Sequence, residues 1–291
     1  MKQLFTLITL VVFSVSMQAQ GFGYGFKTGL NFNRIKSDSV RVGEELAQNT
    51  GFHIGAVFAY KFTELMGVRG ELLYSIRGGR NRYDGDGVIG VVSETGQIYR
   101  IEGNRTSSIR VTNSYIDIPL TFYYKPTSWL ELSAGAQAGI LVGSTAVGQI
   151  IVNGETTINE QTFNVNKFDF NVNYNYNRDS FDDTNVANNS IEIAGETVTL
   201  PTQLNAYSEF TEDYGKLYNR VDFSLIAGAS LFLNKGLFVS GRANIGLTDI
   251  TNDEADRVNV AETGTETGIV SERQNHIDTN FAIQVSVGFI F

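Results

Sequence analysis

Large apolar residues recur at every second position in eight stretches of the chain, and the positions between them are small or polar. The last stretch is the most regular. Phe281, Ile283, Val285, Val287, Phe289 and Phe291 share one face, and Ala282, Gln284, Ser286 and Gly288 share the other. A period of two is that of a β-strand, and a run of this length crosses a bilayer when tilted. The same alternation predicts strands over 22–33, 52–61, 66–77, 115–124, 129–142, 221–233 and 237–247. Their charged residues fall on the parity opposite the large apolar ones. Facing lipid, an Arg or Lys near the midplane would cost about 2–4 kcal/mol; facing a lumen it costs little if paired.

Connection lengths give an independent signal. The links 62–65, 125–128 and 234–236 are short, whereas 34–51, 78–114, 143–220 and 248–276 are long and polar. Strict alternation of short and long links is the pattern of periplasmic turns and extracellular loops, and an even strand count returns both ends to one side. The fold class expected is therefore all-β: a closed antiparallel transmembrane β-barrel of eight strands. Aromatic residues at strand ends (Tyr60, Tyr123, Tyr124, Trp129, Phe238 and Phe291 toward the short turns; Phe32, Phe52 and Phe281 toward the other end) predict two interfacial girdles. Pro119 removes one ladder donor inside the fourth strand, so a local bulge is expected there.

The loop 143–220 complicates the strand count. IIVNGETTI (150–158), FDFNVNYNYN (168–177) and IEIAGETVTL (191–200) read as hairpins above the membrane, the first on its Asn-Gly turn. Phe168, Phe170, Val172, Tyr174 and Tyr176 on one face could instead form a ninth membrane strand with a tenth near 203–210, so a ten-stranded barrel stays open.

Composition agrees with this picture. The chain has 291 residues, 30 Gly, 3 Pro and no Cys, which suits an all-β chain without disulfides and excludes thiolate metal sites and a lipoprotein anchor. A net charge of -9 speaks against nucleic acid as a partner. Mean hydropathy of -0.09 does not oppose a barrel, which hides apolar residues at alternate positions. Residues 1–19 combine Lys2, an apolar run and a small-residue end, and read as a signal peptide cut after Ala19. The barrel then occupies 20–291.

The closing strand, ending on Phe291, resembles that of bacterial outer-membrane barrels, in which a terminal Phe helps the insertion machinery recognise the chain. More specifically, GFKTGLNFNR (25–34), GFHIGAVFAY (51–60), GELLYSIRGG (70–79), SYIDIPLTFYYK (114–125) and GLTDI (246–250) resemble the PorT-like outer-membrane β-barrel family of Bacteroidota. YIDIPL and GLTDI carry the resemblance most specifically. It implies an eight-stranded barrel with a signal peptide and no single activity.

Candidate chemistry is sparse. Inward parity gathers Lys27, Arg69, Arg77 and Arg242 against Glu71, Asp117, Glu131 and Asp222. By counting from strand ends, Lys27, Glu71, Asp117 and Arg242 share mid-height, Arg77 and Asp222 the outer mouth, and Arg69 and Glu131 the periplasmic mouth. An eight-stranded barrel is just wide enough for its side chains to fill, so a lumen plugged by ion pairs is expected. Losing one partner, as in Arg242→Ala, should cost about 3–5 kcal/mol. His53 faces inward, and His276 beside Asp278 in the last loop imitates a base with its orienter, but no nucleophile motif accompanies it. Outward carboxylates, including Asp179, Asp182, Asp183, Glu209, Glu212, Asp213, Asp253, Glu254 and Asp256, read as solvated acidic loops that could bind cations bridging lipopolysaccharide. Phosphate loops, zinc spacings and nucleotide fingerprints are missing. No catalytic, cofactor-binding or metal residue is assigned.

The sequence thus predicts a non-enzymatic outer-membrane protein with periplasmic termini, a structural or interaction protein that works through its extracellular loops as an accessory to secretion or to a surface complex. Its partners would be membrane lipid and lipopolysaccharide, the insertion machinery, and envelope proteins met through the extracellular loops. A small-solute channel is the alternative, and a barrel enzyme a third reading.

Overall fold

The computed structural model describes residues 21–291 apart from 93–97, 159, 181–185, 194, 208, 211, 263–268 and 275. The expected signal peptide, Asp182 and Asp183 lie outside the described residues. The strands are β1 (Phe22–Ser37), β2 (Glu44–Ala47), β3 (Asn49–Lys61), β4 (Met66–Val92), β5 (Ile98–Tyr124), β6 (Leu130–Ile158), β7 (Gln161–Asn175), β8 (Val186–Ile193), β9 (Glu196–Leu204), β10 (Val221–Phe232), β11 (Leu237–Gly246), β12 (Arg257–Ala261), β13 (Ile269–Arg273) and β14 (Asp278–Ile290). Eight of them close into a ring in the order β1, β3, β4, β5, β6, β10, β11, β14 and back to β1, each pair antiparallel. Closure leaves the ring without an edge, which is what a sheet in hydrocarbon requires.

The wall of this ring is turned inside out. Leu72, Ile118, Leu120, Phe122, Phe223, Ile283 and Val285 face outward and are exposed, while Lys27, Asn31, Glu71, Asp117, Glu131 and Gln284 are buried inside. Only a membrane can cover such a belt.

Of the segments expected as long polar links, 78–114 is strand over most of its length, and 143–220 carries the strands expected above the membrane. Asn153 and Gly154, however, lie inside β6 and not at a turn. At about 3.3 Å per residue, β4 and β5, of 27 residues each, run to roughly 90 Å of contour, against an apolar band about 25 Å tall. Their far halves form one hairpin, paired from Ile76 and Ser114 to Val92 and Ile98. Above the membrane the burial rule reverses. In β5 the outward residues are Ile116, Ile118, Leu120, Phe122 and Tyr124 near the short turns, but Asn104, Thr106, Ser108 and Arg110 beyond. The inward residues change the opposite way, from Asn113, Asp117 and Thr121 to Tyr99, Ile101 and Val111. The strand keeps its period and exchanges its solvents.

In β6 the same reversal takes one extra residue. Its register against β5 slips between Ser114 and Tyr115, leaving Val142 unmatched. Below the bulge the even residues Leu132 and Ile140 face lipid; above it the even residues Ala146, Ile150 and Val152 are buried. A bulge inserts one residue and moves every later side chain to the other face. Here β6 also changes partner, from β10 over 130–140 to β7 over 145–158. β7 therefore stands above the membrane, and Phe168, Phe170, Val172, Tyr174 and Tyr176 belong to a water-excluded core with Ile101, Ile150 and Val198. That overturns the ten-stranded alternative: the alternation in 168–177 is that of a sheet packed on a soluble core.

Two further expectations are corrected. The bulge lies at Ser114 and Tyr115, not at Pro119, which keeps its place opposite Gln137. On the β4 side the register holds while pairing lapses between Gly70–Leu120 and Leu73–Asp117, so the missing donor is tolerated without slippage. Tyr123 and Phe238, expected in the short-turn girdle, point inward and are buried, because odd positions on β5 and even positions on β11 face the lumen. Gly288 leaves room for the Phe238 ring, which any Cβ at that position would strike. Tyr60, Tyr124, Trp129 and Phe291 stay exposed at that end, as do Phe52 and, in part, Phe32 and Phe281 at the other.

The polarity reversal has a direct test. Leu120→Arg, on the lipid face, should lower the unfolding free energy in lipid vesicles by about 2–4 kcal/mol, whereas Ser108→Arg, outward on the same strand above the membrane, should cost under about 1 kcal/mol. Equal costs in urea titrations would contradict the assigned boundary.

Candidate functional site

The inward charges of the ring form three clusters. Nearest the short turns, Arg69 makes a two-pronged bond to Glu131 at 2.6 and 2.9 Å, with Lys125 Nζ 3.6 Å from the same carboxylate. The Arg69 guanidinium lies 5.2 Å from the Tyr123 ring centre and 5.8 Å from that of Phe238, so the two aromatic residues roof this pair. At mid-height Glu71 accepts from Lys27 at 2.6 Å and Arg242 at 2.8 Å, and Arg242 Nε donates to Gln284. Toward the long hairpins Arg77 bridges Asp117 and Asp222 and stacks 4.4 Å from the Tyr115 ring. Asn280 and Thr248 each donate to Asp222, at 3.1 Å. Beside these clusters, His53 is held between Asn31 at 2.7 Å and Ser286 at 2.8 Å.

Strand counting misplaces one member. Asp117 joins Arg77 instead of Lys27 and Arg242, so the middle cluster carries one excess cation and the upper one an excess carboxylate. Asp117 sits opposite Leu73 in the ladder, and the long Arg77 side chain reaches back along the barrel to it. Gly139 makes the approach possible, because a Cβ there would fall 2.9 Å from Asp117 Oδ1 and 3.0 Å from Arg77 Nη2. Sequence reasoning misses Gln284, Asn280 and Thr248 as partners of these charges. Gln284 carries the parity signal, but Thr248 lies beyond the end of β11 and carries none. Between Lys27, Arg242, Ile226 and Phe238 the remaining void is about 20 Å³, room for about one water.

Above the ring the long hairpins enclose a cup. Its cavity, about 290 Å³, is lined among others by Arg41, Arg105, Tyr174, Tyr207, Glu209 and Tyr218. Arg105 binds Glu209 at 2.7 Å, and Tyr174 donates to the same carboxylate at 3.2 Å. Tyr176 stacks edge-on with Tyr174, Tyr207 and Tyr218 at 5.7, 6.3 and 5.1 Å, and Tyr207 donates to the Tyr176 carbonyl at 2.7 Å. Burial pushes the Tyr207 hydroxyl up to about 12, so it stays a neutral donor.

One wall of the cup carries the charged group closest to chemistry. His276 Nε2 lies 3.2 Å from Asp256 Oδ2 and 3.6 Å from Asp278 Oδ2, and these three side chains could together hold a metal ion. The neighbours His276 and Asp278 are legible in the sequence; Asp256, far away in the chain, is not identifiable there as their partner. Burial pushes the Asp256 carboxyl up to about 6; Asp278, Asp249 and Glu44 add to the push and His276 opposes it. Burial raises Asp278 as well. The terminal Phe291 is exposed at the opposite end, its ring 5.5 Å from Tyr24 and 4.8 Å from Phe289.

The family model described as outer membrane protein beta-barrel domain matches residues 18–252. Among solved structures, the attachment invasion locus protein Ail of Yersinia pestis is similar at 9% identity, covering 94% of this chain and 100% of that one, with a TM-score of 0.35. The outer membrane protein OprG of Pseudomonas aeruginosa is similar at 11% identity, covering 93% and 96%, with a TM-score of 0.38. The outer membrane protease OmpT of Escherichia coli is similar at 8% identity, covering 94% and 96%, with a TM-score of 0.29. A search of curated proteins finds no match. Likenesses this distant say nothing of this chain's activity.

The clusters differ in what they lose with one cation. Arg77→Ala leaves Asp117 and Asp222 buried without their partner and should cost about 3–5 kcal/mol. Arg242→Ala leaves Glu71 with Lys27 and should cost less; urea midpoints in the reverse order would contradict the pairing. At Asp256, a folded value above the unfolded 3.8 means that stability is fully present below that value and is lost as pH rises through about 6. With divalent cations chelated, the ratio of parent to Asp256→Asn cleavage rates by an added protease should rise from pH 5 to pH 8. A constant ratio would contradict the assignment.

Proposed function

We propose that this chain, which belongs to the family described as outer membrane protein beta-barrel domain, acts from the outer membrane as a non-enzymatic recognition protein. The barrel is a plugged anchor, and the extramembrane cup is the working part. The observation that carries this reading is the division of the molecule. The ring's interior is occupied by ion pairs and aromatic side chains at three levels, while the hairpins above it commit long strands and a separate apolar core to building a concave surface. Concave sites with aromatic walls and a few placed polar groups are what ligand binding needs.

In this reading the short turns and both termini of the mature chain face the periplasm and the hairpins face outward. Residues 1–19 are a signal peptide removed before assembly. The motifs YIDIPL (115–120) and GLTDI (246–250) favour a place among PorT-like barrels of Bacteroidota. Lys27, Arg69, Glu71, Arg77, Asp117, Glu131, Asp222 and Arg242 serve stability and the closed lumen, and Phe291 serves recognition by the insertion machinery. Partners are envelope proteins or lipopolysaccharide reached through the hairpins.

The test is electrical. Purified protein reconstituted in planar bilayers should give no steady conductance, because the Arg69–Glu131 and Arg77–Asp117–Asp222 clusters occupy the lumen. Steady, salt-dependent conductance would replace the recognition reading with a small-solute channel.

A further inference from the structure

The cup wall contains three metal-ligating side chains that the recognition role does not use. Asp256 ends the turn that precedes β12, and His276 and Asp278 lie two residues apart on the segment entering β14. Their candidate ligand atoms all fall within 4.8 Å of one another. Hydrogen bonds hold the backbone on both sides. Asp256 N–H donates to Asn252 O at 3.0 Å, and Gln274 N–H to Asp256 O at 2.8 Å. Ile277 N–H donates to Asp38 Oδ1 at 2.8 Å, Asp278 N–H to Asp249 Oδ1 at 3.1 Å, and Ile250 N–H to Asp278 O at 2.8 Å. Ligands fixed in this way meet before any ion arrives, which is the main requirement of a built site.

Among the described residues no arginine or lysine pairs with either carboxylate. Asp256 Oδ2 is a buried atom with His276 Nε2 beside it at 3.2 Å, and Asp278 is hydrogen-bonded to the Ser37 side chain. The nearest arginines in sequence are engaged elsewhere. Arg257 donates to Glu254 O and Ser271 O and stacks 3.7 Å from Tyr214, while Arg273 binds Asp253 and Glu254. Two partly buried carboxylates thus meet at one imidazole, and a cation between them would offset the repulsion of holding both charges together. All three residues line the cup, so an ion has a path to them.

We propose that Asp256, His276 and Asp278 bind one divalent transition-metal ion, of the Zn²⁺ class, in the wall of the extramembrane cup. One imidazole nitrogen with two carboxylate oxygens is a donor set for Zn²⁺ and its neighbours in the transition series. Ca²⁺ and Mg²⁺ favour sets made of oxygen alone. The ion ties the segment before β12 to the start of β14 and leaves coordination positions open toward the cavity. The recognised ligand is then one that offers an oxygen or nitrogen donor to the metal. This extends the recognition reading of the cup and rests on it for the ligand, though not for the ion.

The experiment uses the whole mature protein in detergent micelles, stripped with a chelator and titrated with Zn²⁺ alone by calorimetry, with Co²⁺ absorption as a second readout. One Zn²⁺ should bind per chain, Ca²⁺ should not displace it at equal concentration, and Co²⁺ should give the absorption of a nitrogen-containing site. His276→Ala and Asp256→Asn should each weaken Zn²⁺ binding by at least the roughly 10–100-fold typical of losing even an outer-shell partner. Asp253→Asn, an exposed carboxylate of the same turn, should leave it unchanged. Heat-shifted gel mobility shows whether each variant keeps its folded barrel. Should His276→Ala fail that check, His276→Gln, which keeps most of the volume, takes its place. Weak binding lost equally in Asp253→Asn, or competed equally by Ca²⁺, would overturn the proposal in favour of diffuse surface charge. Failure of Zn²⁺ binding in a protein silent in bilayers removes the metal and leaves the plugged recognition barrel intact, whereas conductance removes that reading whatever Zn²⁺ does.

Discussion

Backbone crossing hydrocarbon must find every hydrogen bond within itself, and in this chain the ring of eight strands does so by closing β6 on β10. Everything else in the membrane half follows from that closure. A closed ring of this size has an interior just wide enough for its own side chains to fill. One face of each strand must meet lipid, so the other collects whatever lipid would reject. The charges are then buried by geometry, and pairing is what makes their burial tolerable. Arg69 with Glu131, Lys27 and Arg242 with Glu71, and Arg77 with Asp117 and Asp222 are the outcome.

Above the membrane the same strands obey the opposite rule. Water now lies outside, so Tyr99, Ile101, Ile150 and Phe170 turn inward and polar residues turn outward. Two devices achieve the change. β5 exchanges residue types between its two parities while keeping its period. β6 keeps its apolar residues on even positions and rotates the strand with a one-residue bulge. Positions on the two sides of Val142 therefore carry the same sequence signal with opposite structural meaning. Gly78, next to Arg77 with φ of +134°, marks the same level on β4, a backbone shape that residues with side chains avoid.

That ambiguity sets how far the sequence can be read. The membrane strands are legible because apolar period-two runs flanked by alternating short and long links fit few folds besides a membrane barrel. The upper strands are not, because Phe168 to Tyr176 alternate just as a lipid-facing strand would, and periodicity does not say which solvent lies outside. The inversion along β5, from Ile116–Tyr124 to Asn104–Arg110 on one parity, is present in the sequence and is enough to draw the boundary. At the candidate sites, parity identifies the lumen charges, but side-chain reach decides which of them meet, as Asp117 shows. Asp256 and His276 meet through the folding of the last hairpin region, and no spacing announces it.

The most direct test of the inverted barrel is a scan of single Cys positions along β5, feasible because the chain has no Cys of its own. Spin labels at even positions from 104 to 124 report collisions with oxygen, which concentrates in lipid, or with a water-soluble nickel complex. An inverted barrel predicts lipid contact at 118, 120 and 122, water contact at 104, 106 and 108, and a crossover near 114 with the period of two unbroken. Water contact at all of these positions would contradict it.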